Sequence, residues 1–189
     1  MALSLQEQSN FIQKYFLELD QKEGNKVHDT KKGIFGTTDI ILFAEFCEKI
    51  NLVSKKCFVD LGSGDGRLVL YASLFTKAIG IEFDKELVKQ SIAHKEKLIF
   101  SLANVVSCDF LEQDYETFDY SNCDVLFSFA DHFFTPEFIE KLKQEFHGTL
   151  YIFQGVFLPE DLKEQKNKTL WLSNQTPVYV YSLTAVGKQ

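Results

Sequence analysis

No stretch of this chain is apolar for long enough to cross a bilayer, and its opening residues, MALSLQEQSN, lack the apolar centre of a secretion signal. A cytoplasmic protein without a membrane span is the expectation. The four cysteines, Cys47, Cys57, Cys108 and Cys123, form no Cys-x-x-Cys pair and no zinc-like spacing. No metal site is expected from them, and reduced thiols packed as small apolar groups are. Positive charge is also in short supply: 20 Lys and Arg stand against 27 Asp and Glu, for a net charge of −7. General binding to nucleic acid needs a basic stripe that this composition does not suggest, whereas a basic protein substrate is compatible with an acidic surface. Internal repeats, low-complexity tracts and a second-domain linker are absent as well.

What is present is an ordinary globular composition, 45% hydrophobic and 25% charged over 189 residues, with 19 phenylalanines to pack a core. Leu5, Ile12, Tyr15, Phe16 and Leu19 recur at helical spacing, so the first twenty residues read as an amphipathic helix. QKEGNKVHDTKKG then reads as a loop. TTDIILFAEFCEKINL follows as a second helix, with Thr38 or Thr37 as its N-cap. From Cys57 the rhythm alternates between strand and helix. CFVDL, KAIGIEF, NVVSCDF, CDVLFSFA and GTLYIFQG are five strands, with helices after the first, after the second (DKELVKQSIAHKEKLIFSL) and after the fourth, where Pro136 opens Glu137 to Phe146. TLWLS and VYVYSLTAV flank a short polar turn and read as a closing hairpin. The expectation is an α/β fold: a mostly parallel seven-stranded sheet with an antiparallel C-terminal hairpin and an N-terminal helical cap. Residues 1–38 would supply the helix and a covering loop, and 39–189 the single globular unit.

The stretch FVDLGSGDGR concentrates the chemistry. Gly62, Gly64 and Gly66 follow a buried strand at every second position, and three such residues in five point to a ligand held close to backbone. A dinucleotide fold wants G-x-G-x-x-G, but Arg67 stands at the third place; a phosphate-binding G-x-x-x-x-G-K-[ST] has no Lys-Ser/Thr here. D-x-G-x-G-x-G fits instead a site for S-adenosylmethionine (SAM), whose product is S-adenosylhomocysteine. An acid at the end of the second strand tests that reading. Glu82 stands 22 positions after Asp60, where a carboxylate can accept from both hydroxyls of a ribose. Phe83 could pack on the adenine, Asp109 accept from its amino group, and Phe110 form the neighbouring wall.

In that order and spacing, DLGSGDG, GIEFD and CDF resemble the class I SAM-dependent methyltransferases, a Rossmann-like fold, from about Lys31 to the end. KKGIFGTTDIILFAEF and the closing PVYVYSL are similar to the small seven-strand protein-lysine methyltransferases of archaeal and mitochondrial type, and the non-SET histone lysine methyltransferases carry a related upstream turn. The resemblance implies a cofactor site of Phe35, Gly36, Thr37, Thr38, Asp60, Gly62, Ser63, Gly64, Gly66, Glu82, Phe83, Asp109 and Phe110. Residues 36–38 would close over the methionine end of SAM. The chain departs from the family by lacking an upstream proline. It also lacks an N/D-P-P-Y/F segment after the fourth strand, which speaks against methylation of adenine or a glutamine amide.

Methyl transfer from a sulfonium needs alignment more than acid–base machinery. Ser128, Phe129 and Asp131, just past the fourth strand, are the catalytic candidates, and a lysine ammonium could lose its proton through Asp131 or the adjacent His132. The plainer readings are an exposed loop histidine and a helix-capping aspartate. Tyr179 and Tyr181 could line a substrate channel or pack on a helix. The five acids of DFLEQDYETFDY are a lip for a basic substrate or a solvated loop. Arg67 pairs or snorkels at its helix start, and Asp60 could brace the glycine turn. The function expected is methylation of a lysine amine on a protein. A small-molecule methyltransferase and a non-catalytic SAM-binding module are the alternatives.

Overall fold

The computed structural model describes residues 3–24, 27–30, 33–99, 102 and 105–184, with the backbone alone for 27–30 and 33–35. Helix α1 (Leu5–Glu23) starts at a capping box in which Ser4 Oγ accepts from Glu7 N and the Glu7 carboxylate accepts from Ser4 N. Its inner face is Gln8, Ser9, Ile12 and Phe16, whereas Leu5 is exposed. The segment expected to be a loop contains a small antiparallel hairpin, β1 (Val27–Thr30) with β2 (Gly33–Gly36). Strands of four residues, one mostly polar (Val-His-Asp-Thr) and the other bounded by glycines (Gly-Ile-Phe-Gly), carry too little alternation to be read from sequence.

Helix α2 (Ile40–Lys49) is capped by Asp39, not by Thr37 or Thr38 as expected. The Asp39 carboxylate accepts from Ile41 N and Leu42 N at 2.8 and 3.3 Å, and its charge also suits the positive end of the helix.

The main sheet comprises β3 (Cys57–Leu61), β4 (Lys77–Glu82), β5 (Ser107–Glu112), β6 (Val125–Ser128), β7 (Gly148–Phe153), β8 (Lys166–Trp171) and β9 (Pro177–Leu183). Their order is β5-β4-β3-β6-β7-β9-β8, with β9 antiparallel to both neighbours and the other pairs parallel. Helices α3 (Arg67–Ala72), α4 (Lys85–Ile99) and α5 (Pro136–Glu145) follow β3, β4 and β6. β3 and β6 are buried along their whole length, as strands covered on both faces must be.

Two strand boundaries moved from their expected places. The third strand was expected over Asn104–Phe110 but pairs with β4 from Lys77↔Ser107 to Glu82↔Glu112, so it ends two residues later. The hairpin's first strand begins upstream at Lys166, because the polar Lys-Asn-Lys run forms an exposed, bulged edge. Such lysines blunt an open sheet edge, and they hide the strand from a search for apolar alternation.

One face of the sheet packs α1 to α4 through an aromatic cluster in which Phe127 lies 5.4, 5.3 and 6.0 Å from Phe43, Phe46 and Phe58. The other face packs α5 through Phe138, Ile139 and Leu142, joined by Tyr120 and Tyr181. All four cysteines are buried thiols. No helix among the described residues is long and apolar enough to cross a membrane.

Arg67 knits the cap to the sheet. Its guanidinium, 3% exposed, donates to Asp20 of α1 through two nitrogens at 2.9 Å and to Asp65 of the glycine turn at 2.7 to 3.1 Å. Burial alone would lower its proton affinity, but the Asp20 and Asp65 carboxylates outweigh that and hold it above the ordinary arginine value. Removing one member of a buried ionic cluster leaves the others uncompensated, typically costing about 3–5 kcal/mol. Arg67→Ala is therefore expected to lose about that much stability in urea unfolding of the ligand-free protein. A loss near that of a surface substitution would contradict the strut.

Candidate functional site

Strand order reverses between β3 and β6, and a cavity of about 1030 Å³ opens at the carboxyl ends of β3, β4 and β6. Parallel sheets bind ligands at such a switch point, since helices leading to either side leave a crevice between them. The glycine turn forms its floor. Gly62 N and Ser63 N both donate to Ile81 O, at 2.9 and 3.0 Å, pinning the turn to β4. Gly62 and Gly64 have φ of 80° and 54°, a region that side chains rarely adopt, and a Cβ on Gly62 would project into open space. The turn is bare because its backbone faces the cavity.

Gly66 has a different role. A Cβ there would meet the Phe110 ring at 2.6 Å and Ser91 Cβ at 2.7 Å, so this glycine lets α3 pack against α4 and β5. Gly66 and Phe110 do not line the cavity. Gly80 in β4, which sequence reasoning passed over, makes room for Ser63 in the same way, with Ser63 Oγ 2.6 Å from where its Cβ would stand.

Glu82 lies where expected, at the end of β4 on the cavity wall. One carboxylate oxygen accepts from Gly64 N at 3.0 Å and the other from Asp84 N at 2.8 Å. These bonds hold the carboxylate in place and leave each oxygen a further lone pair for a diol. Phe83, 42% exposed, lines the same wall, as do Gly36, Thr37 and Thr38 from the opposite side. The side chain of Phe35 lies outside the described residues.

Asp60 is 3% exposed, borders the cavity, and has no hydrogen-bond partner among the described residues. Burial, then the nearby Glu82 and Asp65 charges, push its carboxyl well above the usual range. Ser63 Oγ is also buried without a partner among the described residues. A buried carboxylate in this state suits a cationic ligand group, and SAM carries an ammonium and a sulfonium. Unpartnered polar atoms, a bare backbone floor, a positioned carboxylate and an aromatic wall together fit SAM.

Asp109 is not part of the cavity; it is exposed on β5, with Ser107 Oγ at 3.4 Å. Because β5 runs on to Glu112, the residues that turn into the cavity are Gln113, Asp114, Tyr115 and Glu116. Reading the strand two residues longer would have pointed to Asp114 and Tyr115. The acidic segment thus divides, with Asp114 and Glu116 on the cavity and Asp109, Glu112 and Asp119 on the surface. Ser128, Phe129, Asp131 and His132 line the cavity beyond β6. Tyr179 and Tyr181 do not; they pack on the α5 face of the sheet.

A seven-stranded sheet of this order, with its glycine turn and strand-end acid, defines a class I SAM-dependent methyltransferase, and SAM is its cofactor. Similar structures include an RNA methyltransferase from Salinibacter ruber in complex with S-adenosylhomocysteine, at 20% identity and TM-score 0.60, covering 81% of this chain and 97% of that one. A Listeria monocytogenes chain assigned to the class I SAM-dependent methyltransferases matches at 14% identity and TM-score 0.61, covering 99% and 72%. A Plasmodium falciparum chain assigned as a protein-L-isoaspartate O-methyltransferase, also in complex with S-adenosylhomocysteine, matches at 14% and 0.51, covering 87% and 80%. No curated protein matches the sequence. Residues 15–151 match the family described as histone methylation protein DOT1, and the chain belongs to that family.

Asp60 supplies a test that needs no substrate. A carboxyl that holds its proton more tightly in the folded than in the unfolded chain makes stability fall as pH rises from the ordinary carboxylate range through the raised value. Asp60→Asn is expected to flatten that decline in urea unfolding without cofactor, and to weaken SAM in calorimetric titration. An unchanged pH slope would mean that the Asp60 carboxylate is not desolvated in the folded chain.

Proposed function

We propose that the protein transfers methyl from SAM to a lysine side-chain amine of a protein substrate. The observation that carries this reading is the cavity wall beyond Ser128, where Glu116 and Asp131 stand with Tyr115, Phe129 and Phe134. Carboxylates attract an ammonium, and aromatic faces favour a cation and the aliphatic stem beneath it. Phe133, 63% exposed, adjoins Phe134 in sequence, and Val156, 81% exposed, lines the same cavity; both suit contact with another macromolecule. Membership of a family described by histone methylation supports the same substrate class. The Salinibacter ruber relative acts on RNA, but carboxylates at the mouth and a net charge of −7 disfavour a polyphosphate here.

In this reading Glu82 accepts from the ribose hydroxyls and Phe83 packs against the adenine. The backbone of Gly62 to Gly64 lies under the ribose and methionyl groups, Asp60 faces the cationic end, and residues 36–38 close over it. The bound cofactor supplies an activated methyl on sulfur. Ser128, Phe129 and Asp131 form the wall against which the incoming amine is aligned, which is the main contribution a protein makes to an in-line displacement.

Incubation with labelled SAM and a cell extract tests the reading. Label on a protein band, mapped to lysine, is the expected result; label confined to small molecules would favour the small-molecule alternative, and cofactor binding without transfer the non-catalytic module. Glu82→Ala is expected to weaken SAM tens-fold or more, since hydrogen bonds to a charged acceptor are typically worth about 1.5–3 kcal/mol each. Unchanged affinity would remove Glu82 from the ribose site. Gly64→Val is expected to abolish binding by filling the floor and straining a backbone with φ of 54°.

A further inference from the structure

Tyr115, His132 and Asp131 line one cavity and are joined by two short hydrogen bonds. Tyr115 Oη lies 2.9 Å from His132 Nε2, and His132 Nδ1 lies 2.5 Å from Asp131 Oδ1. The phenol and imidazole rings also stack, with centroids 6.4 Å apart and planes at 26°. Sequence reasoning treated the histidine and the aspartate as separate candidates and did not consider the tyrosine.

For a neutral imidazole the two bonds allow one arrangement of protons: Asp131 as a carboxylate only accepts, so Nδ1 carries a hydrogen, and Nε2 accepts from the Tyr115 hydroxyl. Burial first, with the Glu116, Asp114 and Asp131 charges adding to it, holds the Tyr115 phenol above the ordinary tyrosine range, so it remains a donor at neutral pH. Both ring nitrogens are engaged, and the Tyr115 oxygen keeps a lone pair for an incoming N–H. The segment carrying His132 is tied to the turn carrying Tyr115 a second time, because Thr135 Oγ1 donates to Glu116 Oε1 at 2.8 Å. Thr135 also caps α5, accepting from Phe138 N at 3.2 Å. The chain of three is thus anchored at both ends to regular structure.

We propose that Tyr115, His132 and Asp131 form a relay that takes the proton from the substrate ammonium. This rests on the amine reading given above. A lysine amine, with an ordinary pKa near 10.4, is neutral in only roughly one molecule in 2,500 at pH 7, and only the neutral form has the lone pair that displacement requires. In the relay one N–H bond of the ammonium breaks and its proton passes to Tyr115 Oη as the phenolic proton moves to His132 Nε2. The resulting imidazolium donates through Nδ1 to the Asp131 carboxylate. The freed lone pair then forms the N–C bond while the C–S bonding pair stays on sulfur, leaving a thioether. His132 has a side chain 48% exposed and returns the proton to water. His132 is bonded to Tyr115 from the turn after β5 and to Asp131 from its own segment, and the Glu116, Asp114 and Asp131 charges act on the Tyr115 phenol.

Two measurements separate this relay from the amine reading. In the protein loaded with S-adenosylhomocysteine, nitrogen NMR of the His132 ring at neutral pH is expected to show the Nδ1–H tautomer, with Nε2 shifted by a hydrogen bond that Tyr115→Phe removes. An Nε2–H tautomer, or no change in Tyr115→Phe, would overturn the relay whatever the substrate. In the second, methyl transfer from labelled SAM into extract protein is followed against pH. Tyr115→Phe and His132→Gln are expected to lower transfer about a hundredfold or more near neutrality and to regain much of it at high pH, where the amine is already neutral, with SAM affinity unchanged. Transfer to lysine by the unaltered chain with a profile the variants do not alter would overturn the relay alone. Label that never reaches an amine would overturn the amine reading and the relay's role with it.

Discussion

A buried guanidinium holds this protein together where it matters. Arg67 stands at the first position of α3, where its backbone N also donates to Asp65, and its side chain reaches Asp65 and Asp20 at once. Its third contact, a 3.5 Å approach to Thr38 O, brings in the segment between the small hairpin and α2. The Phe16 ring lies beneath it, 5.0 Å from the guanidinium carbon. One side chain therefore joins the N-terminal helix, the covering segment and the glycine turn. Only a planar, permanently charged fork can satisfy two carboxylates and a carbonyl in so dry a place.

That arrangement explains the form of the glycine motif. A dinucleotide fold places a third glycine where Arg67 stands. Here Gly66, one residue earlier, makes the close helix–sheet contact against Phe110 and Ser91, and the next position is released for the arginine. The turn has side-chain-free backbone on the cavity at Gly62 and Gly64, while the Asp65 carboxylate, also at the cavity's edge, is held by Arg67.

Charge is organised in the opposite sense around the cavity. Asp60, Glu82, Glu116 and Asp131 border it, and they are held by backbone amides, hydroxyls, an imidazole or nothing at all among the described residues, not by lysines. Six carboxylates border the cavity against one fixed cation among the described residues, Arg67, which Asp20 and Asp65 engage; such an excess of negative charge favours a cationic guest such as the sulfonium cofactor. Aromatic walls between the carboxylates lower the local polarity, which strengthens each attraction.

Much of the fold was legible in local sequence because it rests on local rules. A short apolar run such as CFVDL bounded by turn residues favours a central strand, three glycines after it favour a tight turn, and Pro136 behind Thr135 favours a helix start, as each proves to be. The position of Glu82 at the end of β4 could be counted out from Asp60 by strand length and turn chemistry. What sequence could not supply depends on partners distant in the chain. The end of β5 is decided by pairing with β4, and that register moved the cavity wall from Asp109 to Asp114 and Tyr115. The approach of Tyr115 to His132, seventeen positions apart, follows from how two loops leave neighbouring strands. The exclusion of Tyr179 and Tyr181 follows from which sheet face α5 covers. By itself the sequence determined the order of elements and the glycine turn, since both are written in contiguous residues; tertiary structure alone decided which side chains meet across the cavity, since that is set by register and packing between segments far apart.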